Sequence, residues 1–371
     1  MGKPLAGMKI LDLTQYVSGS MCTLLLCDFG AEVIKIEKPQ AQGGTTEEEK
    51  CARATFHRGK KSLVLNMETE EERSVFWKLC READAVVENF RPGTMERWGI
   101  TYDTLRNVNP SIVYTSISGY GQTGPYAGRG ASDATIQAES GIMSITGPRG
   151  KESVKCGAEV SSYMSAMMGC IGTMMGVIGA KRTGEGRRVD ISMMDTTMMC
   201  IENQLAVYMR DGKVPKPMGN SYDLFAPVGL YNTKDQKEFM LSVGTDGQWR
   251  LLCEALGRPE WMEDPRYVTN MRRVANLPEL DRELRREFET YDREELSEKL
   301  QSRHCVYGNI NDLAGVEKHP QTIERKMIFT AAYPDGSIYR VPGNPIQMSG
   351  MERQTEYPVY PAEAEMSCEW K

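Results

Sequence analysis

The sequence is poor in residues that bind metals and lacks the pattern that binds dinucleotides. Histidine occurs only three times in 371 residues, at His57, His304 and His319, without a cluster of other ligands. A structural zinc site is therefore not expected, and no metal is predicted. The turn Gln15–Ser20, which follows the first predicted strand, lacks the GxGxxG pattern. No NAD-type cofactor is expected for that reason.

No CxxC spacing occurs among the ten cysteines, which are scattered along the chain. This distribution is typical of reduced thiols and indicates a cytoplasmic protein. The segment Met1–Ala6 lacks the apolar core of a signal peptide. A formal net charge of −6 argues against a general nucleic-acid binder. The most apolar run, Ser165–Ala180, is short and glycine-rich, which favours a buried helix over a membrane span.

The first half of the chain alternates short apolar runs with amphipathic segments. Strands are predicted at Met8–Thr14, Glu32–Glu37, Leu63–Asn66, Ala85–Glu88 and Ser111–Ser118, and helices at Gly19–Phe29, Thr69–Ala83 and Tyr102–Asn107. The polar residues 39–56 are expected to form a loop. Such alternation predicts an α/β fold with a doubly wound, Rossmann-like parallel sheet.

The pattern changes after a helix that is expected to end near Arg210. A Gly- and Pro-marked linker follows at 211–226, and then two strands, Val228–Asn232 and Phe239–Val243, flank a turn. Helices are predicted at Gln248–Leu256 and in the charged segment Leu277–Ser302. We therefore expect a large α/β domain at 1–210 and a smaller α+β domain at 227–315.

The stretch from Ser111 to Asp195 carries most of the motifs. After the strand come a glycine-rich loop at Gly119–Gly124, the pair Ser132 and Asp133, a long apolar helix at Ser161–Arg182, a TGxG turn that starts at Thr183, and a strand at Val189–Asp195. A strand, a loop, a buried helix and a strand in this order suit a substrate site at the edge of a parallel sheet.

These motifs, in this order and spacing, resemble the family III CoA-transferases, also called the CaiB/BaiF family. The resemblance covers nearly the whole chain. It implies that an acyl-CoA and a carboxylic acid are the substrates, that two chains form an interlocked homodimer, and that residues 316–371 return to the large domain. The loop between Thr45 and Thr55 and the linker around Tyr222–Pro227 are expected to shape the acyl pocket. Their residues do not indicate which acyl group it accepts.

The resemblance assigns CoA binding to five residues: Lys38, Leu65, Asn89, Phe90 and Arg97. Lys38 and Arg97 also follow predicted strand ends, where cations suit the phosphates of CoA; the alternative is that both are merely solvated. Arg58 and Lys60 are further candidates for phosphate binding. The backbone at Val17, Ser18 and Gly19 is a candidate oxyanion site at a helix N-terminus.

The nucleophile of the resembled family is an Asp that lies twenty-one residues before the Thr of TGxG. Counting back from Thr183 (183 − 21 = 162), that position holds Ser162, and the expected carboxylate is missing. Three interpretations remain open. Ser162 is native, either in a chain with altered chemistry or in a silent subunit; or it is an introduced substitution; or another acid takes over as the nucleophile. Asp133, where relatives carry an active-site acid, and Glu159 are the candidates; Asp133 is alternatively a loop cap. No histidine is placed to activate Ser162.

Three functions remain open on these residues. The first is CoA transfer through enzyme-bound anhydride and thioester intermediates, with the glycine-rich loop closing over them. The second is a catalytically silent CoA-ester-binding subunit, assembled with a similar chain. The third is an acyl-CoA racemase, whose relatives carry His and Asp where this sequence has Ser132 and Ser162, so both proton carriers are missing.

Overall fold

The computed structural model describes residues 2–39, 46–361 and 370. The chain is divided into two units. The first contains Met1–Met143, Lys155–Lys213 and His319–Lys371, and the second contains Ser144–Val154 and Val214–Lys318. Residues 144–154 thus belong to the smaller unit, which the sequence did not indicate.

A six-stranded parallel sheet forms the centre of the first unit. Its strands are β1 (Lys9–Asp12), β2 (Glu32–Glu37), β3 (Lys61–Val64), β4 (Ala85–Glu88), β5 (Val113–Ser118) and β6 (Arg188–Ser192). Their order across the sheet is β3-β2-β1-β4-β5-β6, and all five pairings are parallel. The predicted doubly wound sheet is confirmed. The order reverses between β1 and β4, where such sheets bind their ligands at the carboxyl ends of the strands.

Helices of the first unit connect these strands. They are α1 (Tyr16–Asp28), α2 (Glu47–His57), α3 (Glu70–Cys80), α4 (Thr94–Arg97), α5 (Tyr102–Val108), α6 (Asp133–Glu139), α7 (Val160–Thr183), α8 (Met193–Met199) and α9 (Glu202–Asp211). Buried residues of α3 and α5 pack in one apolar cluster with the sheet. Buried residues of α1 and α7 pack in another, so that both faces of the sheet are covered.

Two local expectations were wrong. The polar segment 39–56 is not all loop, because α2 begins at Glu47; residues 40–45 of that segment lie outside the described residues. Thr46 and Glu49 form a capping box, with each side chain 3.2 Å from the other residue's backbone N–H. The strand expected at Val189–Asp195 ends at Ser192, whose hydroxyl accepts from the N–H of Asp195 and starts α8.

The 24-residue helix α7 has the length and hydropathy of a membrane-crossing helix, by those two criteria alone. One face packs with α1 and β5, and a Cβ at Gly176 would come within 2.7 Å of Val113, so glycine permits the close approach. The other face exposes an apolar stripe at a spacing of four and three residues: Tyr163, Met167, Ile171, Met175 and Ile178. We call this set the α7 stripe.

The second unit is an α+β fold with its own core. Its antiparallel strands β7 (Val228–Asn232), β8 (Glu238–Ser242) and β9 (Tyr307–Asn309) pair in that order. Its helices are α10 (Asp246–Leu256), α11 (Glu260–Glu263), α12 (Asn270–Ala275), α13 (Leu277–Phe288), α14 (Arg293–Ser302) and α15 (Leu313–Lys318). The core includes the fully buried rings of Trp249, Tyr267 and Phe288.

The segment after the second unit belongs to the first. It contains α16 (Pro320–Glu324) and three strands, β10 (Ile328–Ala332), β11 (Ile338–Pro342) and β12 (Glu356–Pro358), in the order β11-β10-β12. This sheet packs on α2, since Ala54 shares an apolar cluster with Phe329 and Tyr357. Arg53 of α2 also donates two hydrogen bonds of 3.1 Å to the carbonyl of Tyr360.

Candidate active site

A cavity of about 1180 Å³ lies in the first unit, around the point where the strand order reverses. Its lining comes from the N-terminus of α1, the residues that follow β2, β4 and β5, the starts of α6 and α7, and one side of α2. Eight of the residues expected from the sequence line it together: Val17, Ser18, Lys38, Asn89, Phe90, Arg97, Asp133 and Ser162.

Asn89 joins the β1–α1 turn to the end of β4. Its Oδ1 accepts from the N–H of Gln15 at 2.7 Å, and its Nδ2 donates to the carbonyl of Gln15 at 2.5 Å and to Ser18 Oγ at 3.1 Å. Gly19, an expected oxyanion residue, is not part of the cavity lining. A Cβ there would come within 2.3 Å of Thr14 Cβ and 2.9 Å of Asn89, so glycine permits this tight packing.

Three exposed cations face the cavity at the ends of β2 and β4: Lys38, Arg91 and Arg97. Lys38 Nζ lies 5.9 Å from the ring centroid of Phe90, and Arg97 Nη2 donates to Thr94 Oγ1 at 3.2 Å. Among the described residues, none of these cations forms an ion pair. Sequence reasoning missed Arg91, although its place two residues after Asn89, at the end of β4, was a usable signal.

The other two expected cations serve inside the protein. Lys60 is fully buried, and its Nζ lies 2.9 Å from Asp12 Oδ2 and 2.8 Å from the carbonyl of Ser20. Arg58 forms a buried 2.9 Å ion pair with Asp28, and its Cζ lies 5.5 Å and 5.4 Å from the ring centroids of Phe329 and Tyr357. Neither residue lines the cavity. The structure places both cations in buried ion pairs, and their expected contacts with phosphate stay predictions.

Leu65 is likewise buried in the apolar core beside the sheet, outside the cavity lining. Its expected contact with CoA stays a prediction.

Asp12, between Lys35 and Lys60, is completely buried. Burial alone would raise the pKa of Asp12, but the two ammonium groups and the hydroxyls of Thr14 and Thr23 hold it well below its usual range. The buried carboxylate is thus ionised and neutralised in place.

Asp133 and Ser162 meet at the start of α7. Asp133 Oδ2 accepts from the backbone N–H of Ser162 at 2.8 Å, and its Oδ1 accepts from Gln137 Nε2 at 2.5 Å. Asp133 therefore caps the start of α7 while it also lines the cavity, and its role as an active-site acid stays a prediction. Ser162 is buried, in the third position of α7. Glu159, the other candidate acid, is exposed at the cavity margin.

The glycine-rich loop is tied to its surroundings. The N–H of Gln122 donates to Asp190 on β6 at 3.0 Å, and Tyr120 OH donates to Glu139 on α6 at 3.1 Å. Arg129 pairs with Glu139 at 2.7 Å and lies 5.6 Å from the ring of Tyr120. Gly119 reaches the cavity lining from this loop, and Arg129 does so from the segment that follows.

One side of α2 forms a further part of the cavity lining, where a loop was expected to shape the pocket. It consists of Glu49, Ala52, Arg53, Phe56 and His57. Arg53 forms an ion pair with Glu37, which lies 2.6 Å from its Nη2, and donates a hydrogen bond to the carbonyl of Tyr360. His57, at the last position of α2, was not singled out in the sequence as a site residue.

A buried carboxyl lies directly behind the β4 end. Burial raises the pKa of Glu88 to about 7, although its Oε2 accepts from the N–H of Phe90 at 2.8 Å. Within the described part of the chain Glu88 has no ion pair. The structure also shows no group of three or more His, Cys, Asp or Glu residues, among those described, that could hold a metal ion.

Comparison with known proteins agrees with this architecture. Residues 5–364 match the family described as CoA-transferase family III. An acetyl-CoA:oxalate CoA-transferase from Acetobacter aceti is 34% identical over 365 residues, which cover 96% of this chain and 92% of that protein. A succinate–glutarate CoA-transferase from Agrobacterium fabrum is 32% identical over 370 residues, with coverage of 96% and 92%.

Among solved structures, a CaiB/BaiF family protein from Brucella suis is 32% identical and superposes with a TM-score of 0.86 over 98% of both chains. The match therefore includes both units and the segment that follows the second. With a family match across nearly the whole sequence and full-length relatives above 30% identity, this chain belongs to CoA-transferase family III.

Proposed function

We propose that this protein moves CoA from an acyl-CoA to a carboxylic acid through intermediates bound to an enzyme carboxylate. The observation that carries the proposal is the shared cavity: three cations without ion-pair partners among the described residues face the same space as Asp133 and the start of α7. An anionic, elongated substrate with a reactive end suits such a cavity.

CoA binding is the first step. Lys38, Arg91 and Arg97 bind its phosphates, because charge-assisted hydrogen bonds to phosphate are strong and these cations are not neutralised within the described protein. The first turn of α1, with Val17 and Ser18 in the lining, offers backbone N–H groups to an anion. CoA held in this way places its thioester against the α6 and α7 starts.

The reaction is a double displacement. A carboxylate attacks the thioester carbonyl carbon, the C–S bond breaks, and CoA leaves as a thiolate while an enzyme–acyl anhydride forms. The thiolate attacks the enzyme's carboxyl carbon, which releases the donor acid and leaves an enzyme–CoA thioester. The acceptor carboxylate then repeats both steps in reverse order. Because CoA stays bound, its return is effectively intramolecular.

Asp133 is our candidate for this carboxylate. It is the cavity-lining acid that contacts the backbone of Ser162, which places it beside the position that the family resemblance assigns to the nucleophile. Each of its oxygens accepts one hydrogen bond, from Gln137 or from Ser162, and retains a lone pair for attack.

A second candidate function is a CoA-ester-binding subunit without turnover. Both oxygens of Asp133 already accept hydrogen bonds from the protein, which favours a positioning role over attack. The hydroxyl of Ser162 cannot form the anhydride. In this case the chain binds the ester and a similar, competent chain performs the chemistry.

One experiment separates the two. CoA transfer is measured by mass spectrometry for the wild type, Ser162→Asp and Asp133→Asn, with a panel of acyl-CoA donors and acids. If Asp133 is the nucleophile, the wild type transfers CoA and Asp133→Asn does not. If Ser162→Asp alone transfers, the wild type is the silent subunit. If no variant binds CoA esters, the proposed function is overturned.

For the acids, we propose short dicarboxylates. The support is the substrates named for two relatives: oxalate for the Acetobacter protein, and succinate and glutarate for the Agrobacterium protein. Acids of two to five carbons therefore form the first panel. Monocarboxylic acids of equal length are the matched controls, and equal rates with both sets would contradict this substrate class.

We also propose that two copies associate, as the family resemblance implies, and that the α7 stripe is part of their interface. Met175 is the most exposed residue of the stripe, at 68%, so Met175→Glu is expected to lower the fraction of dimer measured by light scattering. Met271 in the second unit is 80% exposed outside the stripe, which makes Met271→Glu the control. A wild type with the mass of one chain contradicts the proposal.

A further inference from the structure

His57 is a polar group in the cavity that the proposed reaction does not use. Its side chain lines the cavity at the last turn of α2, and its Nδ1 is buried. This Nδ1 has no hydrogen-bond partner among the residues that the structure describes. A buried nitrogen without a partner is uncommon in folded proteins and is generally satisfied by water or by a ligand.

The surroundings of His57 keep the imidazole neutral. Burial, followed by the positive charges of Lys35, Lys60 and Arg53, holds the pKa of His57 well below its usual range, and Asp12 opposes this effect. A neutral imidazole offers one N–H donor and one nitrogen acceptor. The same positive field that keeps a second proton off the ring favours an anion beside it.

The neighbours of His57 in the cavity differ from those at the strand ends. Phe56 and Ala52 supply apolar surface, Arg53 already donates to Glu37 and Tyr360, and Glu49 accepts from the N–H of Thr46 in the capping box. The cations without ion pairs lie instead after β2 and β4. The α2 side of the cavity therefore suits a short carbon chain that ends in one polar group, while the strand ends suit phosphates.

We propose that His57 is a specificity-determining residue that donates a hydrogen bond from its imidazole N–H to the distal carboxylate of the acyl group. The inference rests on the proposed function, because it presumes that a CoA ester occupies this cavity. It adds the residue that distinguishes an acyl chain with a terminal carboxylate from an apolar chain of equal length.

The test uses two CoA thioethers that cannot react, S-(4-carboxybutyl)-CoA and S-pentyl-CoA. Their chains have equal length, but the first ends in a carboxylate and the second in a methyl group. Binding of both, and of free CoA, is measured by calorimetry for the wild type, His57→Phe and His57→Gln. We expect His57→Phe to weaken binding of the carboxylated ligand about tenfold, because one hydrogen bond to a charged group is lost. Binding of S-pentyl-CoA and free CoA should change less than twofold.

His57→Gln retains a donor and an acceptor, so it is expected to recover most of the lost affinity. It also keeps the proposal testable if His57→Phe fails to fold, which the thermal midpoint reports. In the wild type, with histidines labelled by ¹⁵N, the three imidazoles give few signals. The signal absent from His57→Gln should shift with S-(4-carboxybutyl)-CoA and not with free CoA.

The outcomes separate two failures. If every variant binds all three ligands with unchanged preference, or His57→Phe weakens all three equally, the role of His57 is overturned while the cavity remains a CoA site. If the wild type binds none of the three, the proposed function itself is overturned, and the inference with it.

Discussion

Cations in the first unit occupy two contrasting environments. Lys60 is buried against Asp12, and Arg58 is buried against Asp28, where each is neutralised inside the protein. Lys38 and Arg97 are exposed at the cavity and have no ion-pair partner among the described residues. The first pair holds elements together and the second remains available to an anionic ligand. The environment of a cation, more than its residue type, decides whether it stabilises the fold or binds substrate.

The sharpest way to break this contrast is Lys60→Met. The substitution removes one of the two buried ammonium groups beside Asp12 and leaves only Lys35, 3.4 Å away, so we expect the free energy of unfolding to fall by about 3 kcal/mol. Denaturation in urea measures the change. The matched control is Lys38→Met, which should change stability by less than about 0.5 kcal/mol while CoA affinity falls about tenfold. Equal losses of stability in both variants would remove the distinction.

Glu88 extends the comparison to a buried acid without a cation. Its pKa is raised from 4.5 to about 7, so the folded state holds a proton that the unfolded state releases. Stability is therefore lost as the pH rises from about 4.5 to 7. The expected loss is on the order of 3 kcal/mol. Glu88→Gln should remove this slope and be the more stable protein at pH 8. Parallel pH curves for both proteins would disprove the assignment.

The smallest expected effect concerns a single cavity cation. Arg97→Ala should weaken CoA binding about tenfold and reduce its dependence on salt, with little change in stability. Arg91→Ala should behave in the same way. Lys78→Ala, at an exposed position of α3 away from the cavity, is the control for general charge effects. Binding measured at two salt concentrations decides whether these cations contact phosphate.

Much of the fold could be predicted from the sequence because its determinants are local. Short apolar runs such as Ala85–Glu88 are strands at the predicted positions, and the alternation gave the doubly wound sheet. Helix α2 was missed, although Thr46 and Glu49 form a local signature of a helix start. Its apolar face is covered by β10 and β11, which lie far away in the sequence.

The site was predictable where it follows strand ends. Lys38 and Asn89 come directly after β2 and β4, and parallel strands align their carboxyl ends. Arg58 and Lys60 precede β3, so the same rule does not predict them at the edge where the carboxyl ends of the strands lie. His57 lines the cavity only because α2 is a helix, and no local sequence pattern predicts this position for His57. The contact of Asp133 with the start of α7 depends on residues 29 positions apart.

The packing of the final strands on α2 also has a consequence in time. Arg53 and Tyr360, which hydrogen-bond to each other, are separated by 307 residues. Ribosomes add roughly 5 to 20 residues per second, so about 15 to 60 s pass between the synthesis of these two residues. The second unit is made within that interval and can fold first. The nascent chain therefore carries an unfinished α2 side of its cavity until the later strands emerge, and binding on that side begins only after they dock.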